Sequence, residues 1–320
     1  MVEHGNSSSI LVTGANGFVG NAVCEHLLSL GHDVVGVVRA HTSRHHHVLG
    51  PDLSDTADWH DLLEGKDVVI HCAARVHIMN DESCDPSAEY QEVNTSGTIE
   101  LARQAIAMGV KRFIFISSIK VNGEETLEGA EFTEEVIYPP EDPYGRSKYD
   151  AELGLISMCN SSSMAVTIIR PPLIYGLGVK ANFATMINWV RKGIPLPFAK
   201  VQNRRSLLAL PNLCDFIAVS MHHPAAINQV FLIADTNAYS TSELLQEIAK
   251  AYQVQIRLFY IPKNVLFLLG KLLSFEPKLN RLYGSLVLST AKSQQLLQWT
   301  PPYSLSRVLA MMASSDCESR

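Results

Sequence analysis

Short apolar stretches alternate with amphipathic stretches along the first half of the chain. The apolar stretches are rich in β-branched residues, which predicts buried parallel strands. Between them, apolar residues recur every three or four positions, which predicts helices that cover the faces of a sheet. The predicted strands are 9–12, 33–38, 48–53, 67–72, 112–117 and 166–170, and the predicted helices are 21–30, 57–63, 90–108 and 144–159.

This order of elements is typical of an α/β protein with a doubly wound parallel sheet. Further helices are predicted over 183–191, 212–222, 241–252, 263–275, 289–297 and 304–313, and 231–234 could return to the sheet edge. We therefore expect a dinucleotide-binding domain over residues 8–178, with return segments near 212–235. A smaller C-terminal α/β substrate domain is expected to occupy most of residues 179–315.

Composition narrows the function classes. The chain has 320 residues, 47% hydrophobic and 18% charged, with a net charge of -6, which argues against a nucleic-acid partner. No apolar run is long enough to span a membrane, and the first nine residues lack the features of a signal peptide. The apolar segment 265–275 predicts buried core or a subunit contact, with an interfacial membrane helix as the alternative. Scattered cysteines without a C-x-x-C pair indicate reduced thiols in a cytoplasmic protein.

Three glycines follow the first predicted strand at the spacing G-x-x-G-x-x-G. Gly14 permits a tight turn, Gly17 lets the backbone approach a pyrophosphate, and Gly20 lets helix and strand pack closely. The following helix offers unpaired N–H groups and a partial positive charge to the phosphates. The pattern predicts a dinucleotide-binding fingerprint, and an ordinary glycine-rich turn is the alternative.

Further cofactor contacts are expected where the other strands end, because ligands bind at the carboxyl ends of strands in such a sheet. Arg39 follows the second strand, where proteins that use NAD typically carry an acid. An arginine would accommodate a 2′-phosphate, so NADP(H) is favoured or at least tolerated beside NAD(H), and a solvated arginine is the alternative. The expected cofactor residues are Gly14, Asn16, Gly17, Phe18, Val19, Gly20, Arg39, Asp52, Leu53, Ala73, Ala74 and Lys148.

A run of three histidines, His45, His46 and His47, lies in the loop after the second strand. Adjacent side chains point in diverging directions, and no cysteine or aspartate lies at ligand spacing. We therefore predict no metal site.

Tyr144 and Lys148 lie four residues apart on a predicted helix and share one face. An ammonium group close to a phenol lowers the pKa of the phenol from about 10, and such a tyrosine can exchange a proton with a carbonyl or alcohol oxygen. Ser117 and Ser118 end the fifth strand, where a hydroxyl can hold that oxygen. The alternative is a surface pair and a serine cap, but the glycine turn favours a catalytic arrangement.

Together these motifs resemble the extended short-chain dehydrogenase/reductase family, the nucleotide-sugar epimerases, dehydratases and reductases. The matching stretches, between Ile10 and Pro302, are 13–20, 73–74, 93–98, 117–118, 144–148 and 170–176. The resemblance implies a Rossmann domain, a smaller domain that binds a nucleoside-diphosphate sugar, and a Ser118/Tyr144/Lys148 triad. It also implies a homodimer built on helices 90–108 and 144–159.

The resemblance also implies individual roles. Ser118 would hydrogen-bond the sugar oxygen, Tyr144 would be the acid/base, and Lys148 would bind the nicotinamide ribose and tune Tyr144. An arginine suits the diphosphate because its planar fork makes two hydrogen bonds, although surface positions are the alternative, especially for Arg204 against Arg205. The expected substrate residues are Ser118, Lys120, Tyr144, Asn182, Arg205 and Arg281.

The stretch 118–123 departs from the S-x-x-V-Y-G of the family's epimerases. With 73–77 upstream, it resembles a bacterial subgroup filed under UDP-glucose 4-epimerases. That subgroup includes 4-keto reductases that make UDP-N-acetylquinovosamine for the O-antigen of lipopolysaccharide. We predict a reductase that passes hydride from NAD(P)H to C4 of UDP-2-acetamido-2,6-dideoxy-hexos-4-ulose.

Two alternatives remain for this function, a UDP-hexose 4-epimerase and a non-enzymatic NADP-sensing scaffold. The scaffold is disfavoured because the chain retains both Tyr144 and Lys148. A 4,6-dehydratase is also disfavoured, because that reaction normally adds an acidic pair after the serine, where this chain has Ile119 and Lys120.

Overall fold

Nine strands lie in the part of the chain that the computed structural model describes, residues 7–76, 85–272 and 276–318. They are β1 (Ser9–Thr13), β2 (Asp33–Val38), β3 (His47–Leu49), β4 (Val68–His71), β5 (Arg112–Ile116), β6 (Ala165–Arg170), β7 (Leu173–Tyr175), β8 (Leu207–Ala209) and β9 (Gln229–Leu232). Seven strands form one parallel sheet in the order β3-β2-β1-β4-β5-β6-β9, and β7 pairs with β8 separately. The order confirms the predicted doubly wound α/β sheet, and β9 returns to its edge beside β6.

Helices cover both faces of the sheet and build a third buried cluster beyond it. They are α1 (Phe18–Ser29), α2 (His60–Leu63), α3 (Pro86–Tyr90), α4 (Gly97–Ala107), α5 (Pro143–Cys159), α6 (Ala181–Arg191), α7 (Leu210–His222), α8 (Thr241–Ala251), α9 (Lys263–Leu272), α10 (Glu276–Tyr283), α11 (Ala291–Leu297) and α12 (Leu305–Glu318). Apolar residues of α1 and α7 pack on one face, and those of α4 and α5 pack on the other. The third cluster joins α6, α8 and α12 in the second half of the chain. The domain boundaries near residue 178 stay a prediction.

The third strand is shorter than predicted. It was expected over 48–53, but β3 ends at Leu49, so Asp52 and Leu53 lie beyond it. Gly50 still donates its N–H to the Val38 carbonyl, whereas Pro51 has no N–H to continue the ladder. The expectation that the strand runs to Asp52 and Leu53 is therefore wrong.

Two predicted helices begin elsewhere. The predicted helix 57–63 begins only at His60, because the side chain of Gln104 hydrogen-bonds the carbonyl of Ala57 and the N–H of Trp59. The predicted helix 90–108 begins earlier, at Pro86, where the Asp85 carboxylate caps two free N–H groups. It continues through a π-helical stretch, Gln91–Ser96, into α4.

Some side chains of the apolar segment 265–275 are packed against the protein, and others are exposed. In α9, Leu266 packs against the third cluster and the Phe267 ring lies 5.6 Å from that of Tyr283, whereas Leu268 is 71% exposed. Residues 273–275 lie outside the described part of the chain, and so does His77. Among the described helices, none has the length and apolarity needed to cross a bilayer.

Candidate active site

The glycine turn between β1 and α1 is packed too tightly for side chains. Gly14 has φ +67°, and a Cβ there would lie 2.8 Å from the backbone of Ala73 at the end of β4. A Cβ on Gly20 would lie 2.3 Å from the Gly14 carbonyl oxygen. Gly17 caps α1, which begins at Phe18, so Phe18, Val19 and Gly20 form its first turn. This turn fits a bound pyrophosphate, because its backbone is bare where phosphates approach a helix N-terminus.

A buried polar chain lies behind this turn. The Thr13 hydroxyl is 2.7 Å from His71 Nδ1, and His71 Nε2 is 2.9 Å from the Thr98 hydroxyl. Thr98 donates to the Asn94 carbonyl, so His71 carries its proton on Nε2 and accepts from Thr13 on Nδ1. Burial lowers the pKa of His71 to about 3, which keeps the ring neutral. Sequence reasoning missed Thr13 and His71, because only the strand register brings them together.

The other expected cofactor residues lie along the same edge of the sheet. Ala73 follows β4 and donates its N–H to the Thr13 hydroxyl, and Ala74 comes next. Arg39 is exposed directly after β2. The backbone of Leu53 packs on Gly97, where a Cβ would lie 2.9 Å from the Leu53 carbonyl carbon. Asp52 is exposed, and Asn16 is exposed within the glycine turn.

Two histidines of the run lie beside a cysteine of α1. His46 and His47 lie close to Cys24 of α1, and one donor atom from each of the three residues lies within 4.8 Å of the other two. No cysteine lies at ligand spacing along the sequence, but Cys24 is close to both histidines in space. Sequence spacing could not show it, because Cys24 comes from the preceding helix.

The expected triad is assembled from two elements. Ser118 follows β5 and accepts a hydrogen bond from the Lys120 N–H. Asp142 caps α5 through the Gly145 N–H, which places Tyr144 in the first turn of that helix. Ser118 and Tyr144 line one cleft. Burial raises the pKa of Tyr144 to about 12, and the interaction with the Ser118 hydroxyl opposes that rise.

Lys148 does not act on Tyr144 as predicted. Its Nζ donates to the Ile116 carbonyl at 2.9 Å and lies 4.5 Å from the centre of the Phe115 ring. Burial lowers the pKa of Lys148 to about 8. The expectation that Lys148 lowers the pKa of Tyr144 is wrong in this structure, because burial dominates and the ammonium is bound to a carbonyl.

A buried ion pair between Arg170 and Glu152 lies next to the triad, because Glu152 also binds Ser117, the residue before Ser118. Arg170 donates to Glu152 through Nη2 at 2.5 Å and through Nε at 3.0 Å. Ser117 donates to the same carboxylate, and Arg170 also donates to the Asn122 side chain. Ser117 therefore belongs to the buried network, whereas Ser118 faces open space. Sequence reasoning missed Glu152, which looks like an ordinary helical acid.

A cleft of about 650 Å³ opens in front of Ser118 and Tyr144. All six expected substrate residues line it, namely Ser118, Lys120, Tyr144, Asn182, Arg205 and Arg281. Lys120 is paired with Glu124 and Asp142 at its rim. Arg204 instead reaches Glu243, so the structure brings Arg205 rather than Arg204 to the cleft.

The Arg205 guanidinium is a partly buried positive charge of this cleft. Burial lowers the pKa of Arg205, and the neighbouring Arg281 lowers it further, whereas Glu125 opposes them. Arg205 donates to the Gly284 carbonyl at 2.9 Å, which fixes its direction. An anion between the two arginines would relieve their repulsion.

Comparison with known proteins agrees with this geometry. The model of the NAD dependent epimerase/dehydratase family matches residues 10–234. A UDP-glucose 4-epimerase of Vibrio cholerae is 45% identical over 301 residues, which cover 93% of this chain and 92% of that protein.

Two solved structures share the fold. UDP-N-acetylglucosamine 4-epimerase from Bacillus cereus has a TM-score of 0.79 and 18% identity, over 97% of this chain and 99% of that chain. UDP-glucuronic acid 4-epimerase from Bacillus cereus, in complex with NAD, has a TM-score of 0.78 and 20% identity over the same shares. The chain therefore belongs to the NAD dependent epimerase/dehydratase family.

Proposed function

We propose that the protein is a UDP-hexose 4-epimerase, which inverts the configuration at C4 of a UDP-linked sugar. The 45% identity to the UDP-glucose 4-epimerase of Vibrio cholerae, over 93% of this chain, carries the proposal. So long a match includes most of the residues that line the cleft. This identity favours the epimerase, which was the alternative, over the reductase that the sequence motifs favoured.

The proposed cofactor is NAD or NADP. The Gly14–Gly20 turn would hold the pyrophosphate, Ala73 and Ala74 would flank the cofactor, and Lys148 would hold the nicotinamide ribose. A cofactor held by these residues would supply a nicotinamide ring that can accept a hydride from C4 of the sugar and give it back.

Tyr144 is proposed to move the proton of this reaction. At neutral pH its burial keeps it as a phenol, and the Ser118 hydroxyl is its partner. Ser118 would hold the sugar oxygen at C4. The phenolate form of Tyr144, the minor form at neutral pH, would receive the proton of the alcohol, and the resulting phenol would return it to the same oxygen. The two side chains line the same cleft, which supports this assignment.

The two arginines are proposed to hold the diphosphate of the nucleotide sugar. Arg205 and Arg281 line the cleft together with Asn182. A planar guanidinium binds two phosphate oxygens at once, and two such groups neutralise the two charges of a diphosphate. Binding at the diphosphate leaves the sugar free to turn in front of Tyr144, which inversion at C4 requires.

A C4 reductase remains the second candidate because of Arg39. Its exposed guanidinium after β2 suits a 2′-phosphate, and a dissociable NADPH suits net reduction. A role in lipopolysaccharide synthesis and a cytoplasmic location stay predictions.

Product analysis separates the two reactions. Purified protein is incubated with UDP-glucose or UDP-N-acetylglucosamine plus a catalytic amount of NAD, and the sugars are identified by NMR. An epimerase yields the C4-inverted sugar without net change in reduced nicotinamide. A parallel incubation contains NADPH and the 4-keto-6-deoxy sugar. If NADPH is consumed only there, and no inverted sugar forms in the first incubation, the epimerase proposal fails and the reductase is correct.

We also propose a homodimer built on α4 and α5. The exposed faces of α5 carry Leu153 and Ile156, two apolar residues that a partner subunit would cover.

A further inference from the structure

A thiol and two imidazoles meet on the face of the sheet that α1 covers. Cys24 lies in the buried face of α1, and His46 and His47 lie where the chain enters β3. One donor atom from each lies within 4.8 Å of the other two. From this geometry we propose that Cys24, His46 and His47 bind a divalent cation of the zinc class.

The imidazole nitrogens provide a second observation. Nδ1 and Nε2 of His46 and Nε2 of His47 are buried, and they have no hydrogen-bond partner among the described residues. Buried polar groups are nearly always paired in folded proteins, so unpaired ones call for a ligand. A metal ion would accept the lone pair of one nitrogen from each ring, so two of these three unpaired nitrogens would gain a partner.

Thr42 orients one of the two rings. Its hydroxyl is 2.7 Å from His47 Nδ1 and also accepts the Arg44 N–H at 3.4 Å. When Nδ1–H donates to Thr42, the lone pair of Nε2 is free for a metal. Metal-bound histidines usually have such a partner on their other nitrogen.

The charges around the site tolerate a dication. Arg44 is the nearest competing cation, and it is paired with Glu25 of α1. A thiolate and two neutral imidazoles are a donor set that zinc prefers.

The geometry requires a small closure. In a tetrahedral zinc site the donors lie about 3.3–3.6 Å apart, so these side chains would approach by at most about 1.5 Å. Rotation of the side chains can supply this shift, and water would take the fourth position. The ion would tie the loop before β3 to α1. His47 also packs beside the glycine turn, since a Cβ on Gly36 would lie 2.8 Å from both Ala15 Cβ and His47 Cδ2.

Cobalt substitution tests the site without relying on activity. None of the three ligands lines the cleft of the proposed epimerase, so the two proposals fail independently. We expect the chelator-treated protein to bind one Co²⁺ per chain, with tetrahedral visible bands and a thiolate-to-cobalt charge-transfer band. Zn²⁺ is expected to displace the cobalt and raise the Tm.

Two ligand variants and two matched controls complete the test. Cys24→Ser is expected to lose the charge-transfer band, and His46→Gln to weaken zinc binding at least about tenfold. His46 is half-buried outside the main core, so its variant tests the site even if Cys24→Ser does not fold. Cys159→Ala and His45→Gln are expected to bind like the wild type. No band in the wild type, a band retained in Cys24→Ser, or equal loss in His45→Gln would overturn the proposal.

Discussion

Burial changes the acid–base properties of Tyr144 and Lys148 in opposite directions. It raises the pKa of Tyr144 to about 12 and lowers the pKa of Lys148 to about 8, because each charged form loses its hydration. Near neutral pH Tyr144 therefore carries its proton, and Lys148 lies close to the pH at which it loses its own.

Removal of the Tyr144 hydroxyl tests its role in proton transfer. We expect Tyr144→Phe to lower kcat by about 10²–10⁴-fold, the usual contribution of a general acid/base. Cofactor affinity, measured by fluorescence titration, should stay unchanged. Tyr149→Phe, also half-buried on α5, is the matched control and should keep normal turnover. Normal turnover in Tyr144→Phe would remove Tyr144 from the mechanism.

Lys148 is expected to make the protein less stable at neutral pH. Its folded pKa of about 8 lies below the ordinary 10.5, so its burial penalty is present below pH 8 and fades as the pH rises toward 10.5. The shift corresponds to at most about 3 kcal/mol.

Lys148→Met should therefore unfold at higher urea than the wild type at pH 7 while losing turnover. The difference between the two free energies of unfolding should shrink as the pH rises from 8 to 10.5. Comparing variant with wild type at each pH removes the contributions of other groups that titrate there. A difference that does not change with pH would contradict the prediction.

Substitution of Arg39 tests whether the protein prefers NADPH to NADH. A charged hydrogen bond contributes about 1.5–3 kcal/mol, so Arg39→Ala should weaken NADPH binding by roughly 10–100-fold and leave NADH nearly unchanged. Calorimetric titration with each dinucleotide measures this difference. Arg103→Ala is the control, because Arg103 is exposed and paired with Glu100. Equal losses for NADPH and NADH would show that Arg39 does not contact a 2′-phosphate.

At the scale of elements, the strands that carry the site were predictable and several boundaries were not. Buried strands such as β1 and β2 read directly as apolar, β-branched runs. The end of β3 depends on Pro51, and the start of α3 depends on the cap that Asp85 forms, both local signals that apolar periodicity ignores. The helix α10 was missed because its sequence, Glu276–Tyr283, is mostly polar.

The close packing at Gly20 gives a prediction for the first turn of α1. Gly20→Ala would place a methyl group 2.3 Å from the Gly14 carbonyl oxygen, so the glycine turn must shift. We expect a loss of stability of about 1–3 kcal/mol and clearly weaker dinucleotide binding. Gly31→Ala, just beyond the other end of the helix, meets no atom within 4 Å and is strained only by its φ of +86°.

The Gly31→Ala control separates folding from binding. Gly31→Ala should lower the free energy of unfolding, measured with urea, without lowering the affinity for the dinucleotide, measured by titration. If both variants bind the dinucleotide equally well, the turn is not the pyrophosphate site.

At the scale of the whole molecule, the cleft joins residues that only family resemblance could group. Ser118 and Tyr144 were predictable from the sheet edge, but Arg205 and Arg281 depend on contacts between distant segments. Ser206 donates its N–H to the Leu286 carbonyl, and Arg205 reaches Gly284, which brings the two regions together. The meeting of Cys24 with His46 is of the same kind. Periodicity carries no information about such pairings, because it describes one element at a time.

The proposed dimer predicts which exposed apolar residues matter. Ile156 on α5 and Leu296 on α11 are each 40% exposed, but only Ile156 lies on the proposed interface. Ile156→Asp would bury an unpaired charge between subunits, which costs about 2 kcal/mol or more and weakens the dimer at least roughly 30-fold. Sedimentation velocity over a concentration series should show monomers for Ile156→Asp and dimers for Leu296→Asp. Because the two residues match in exposure, a dimer that survives Ile156→Asp, or a monomeric wild type, would exclude α5 as the subunit contact.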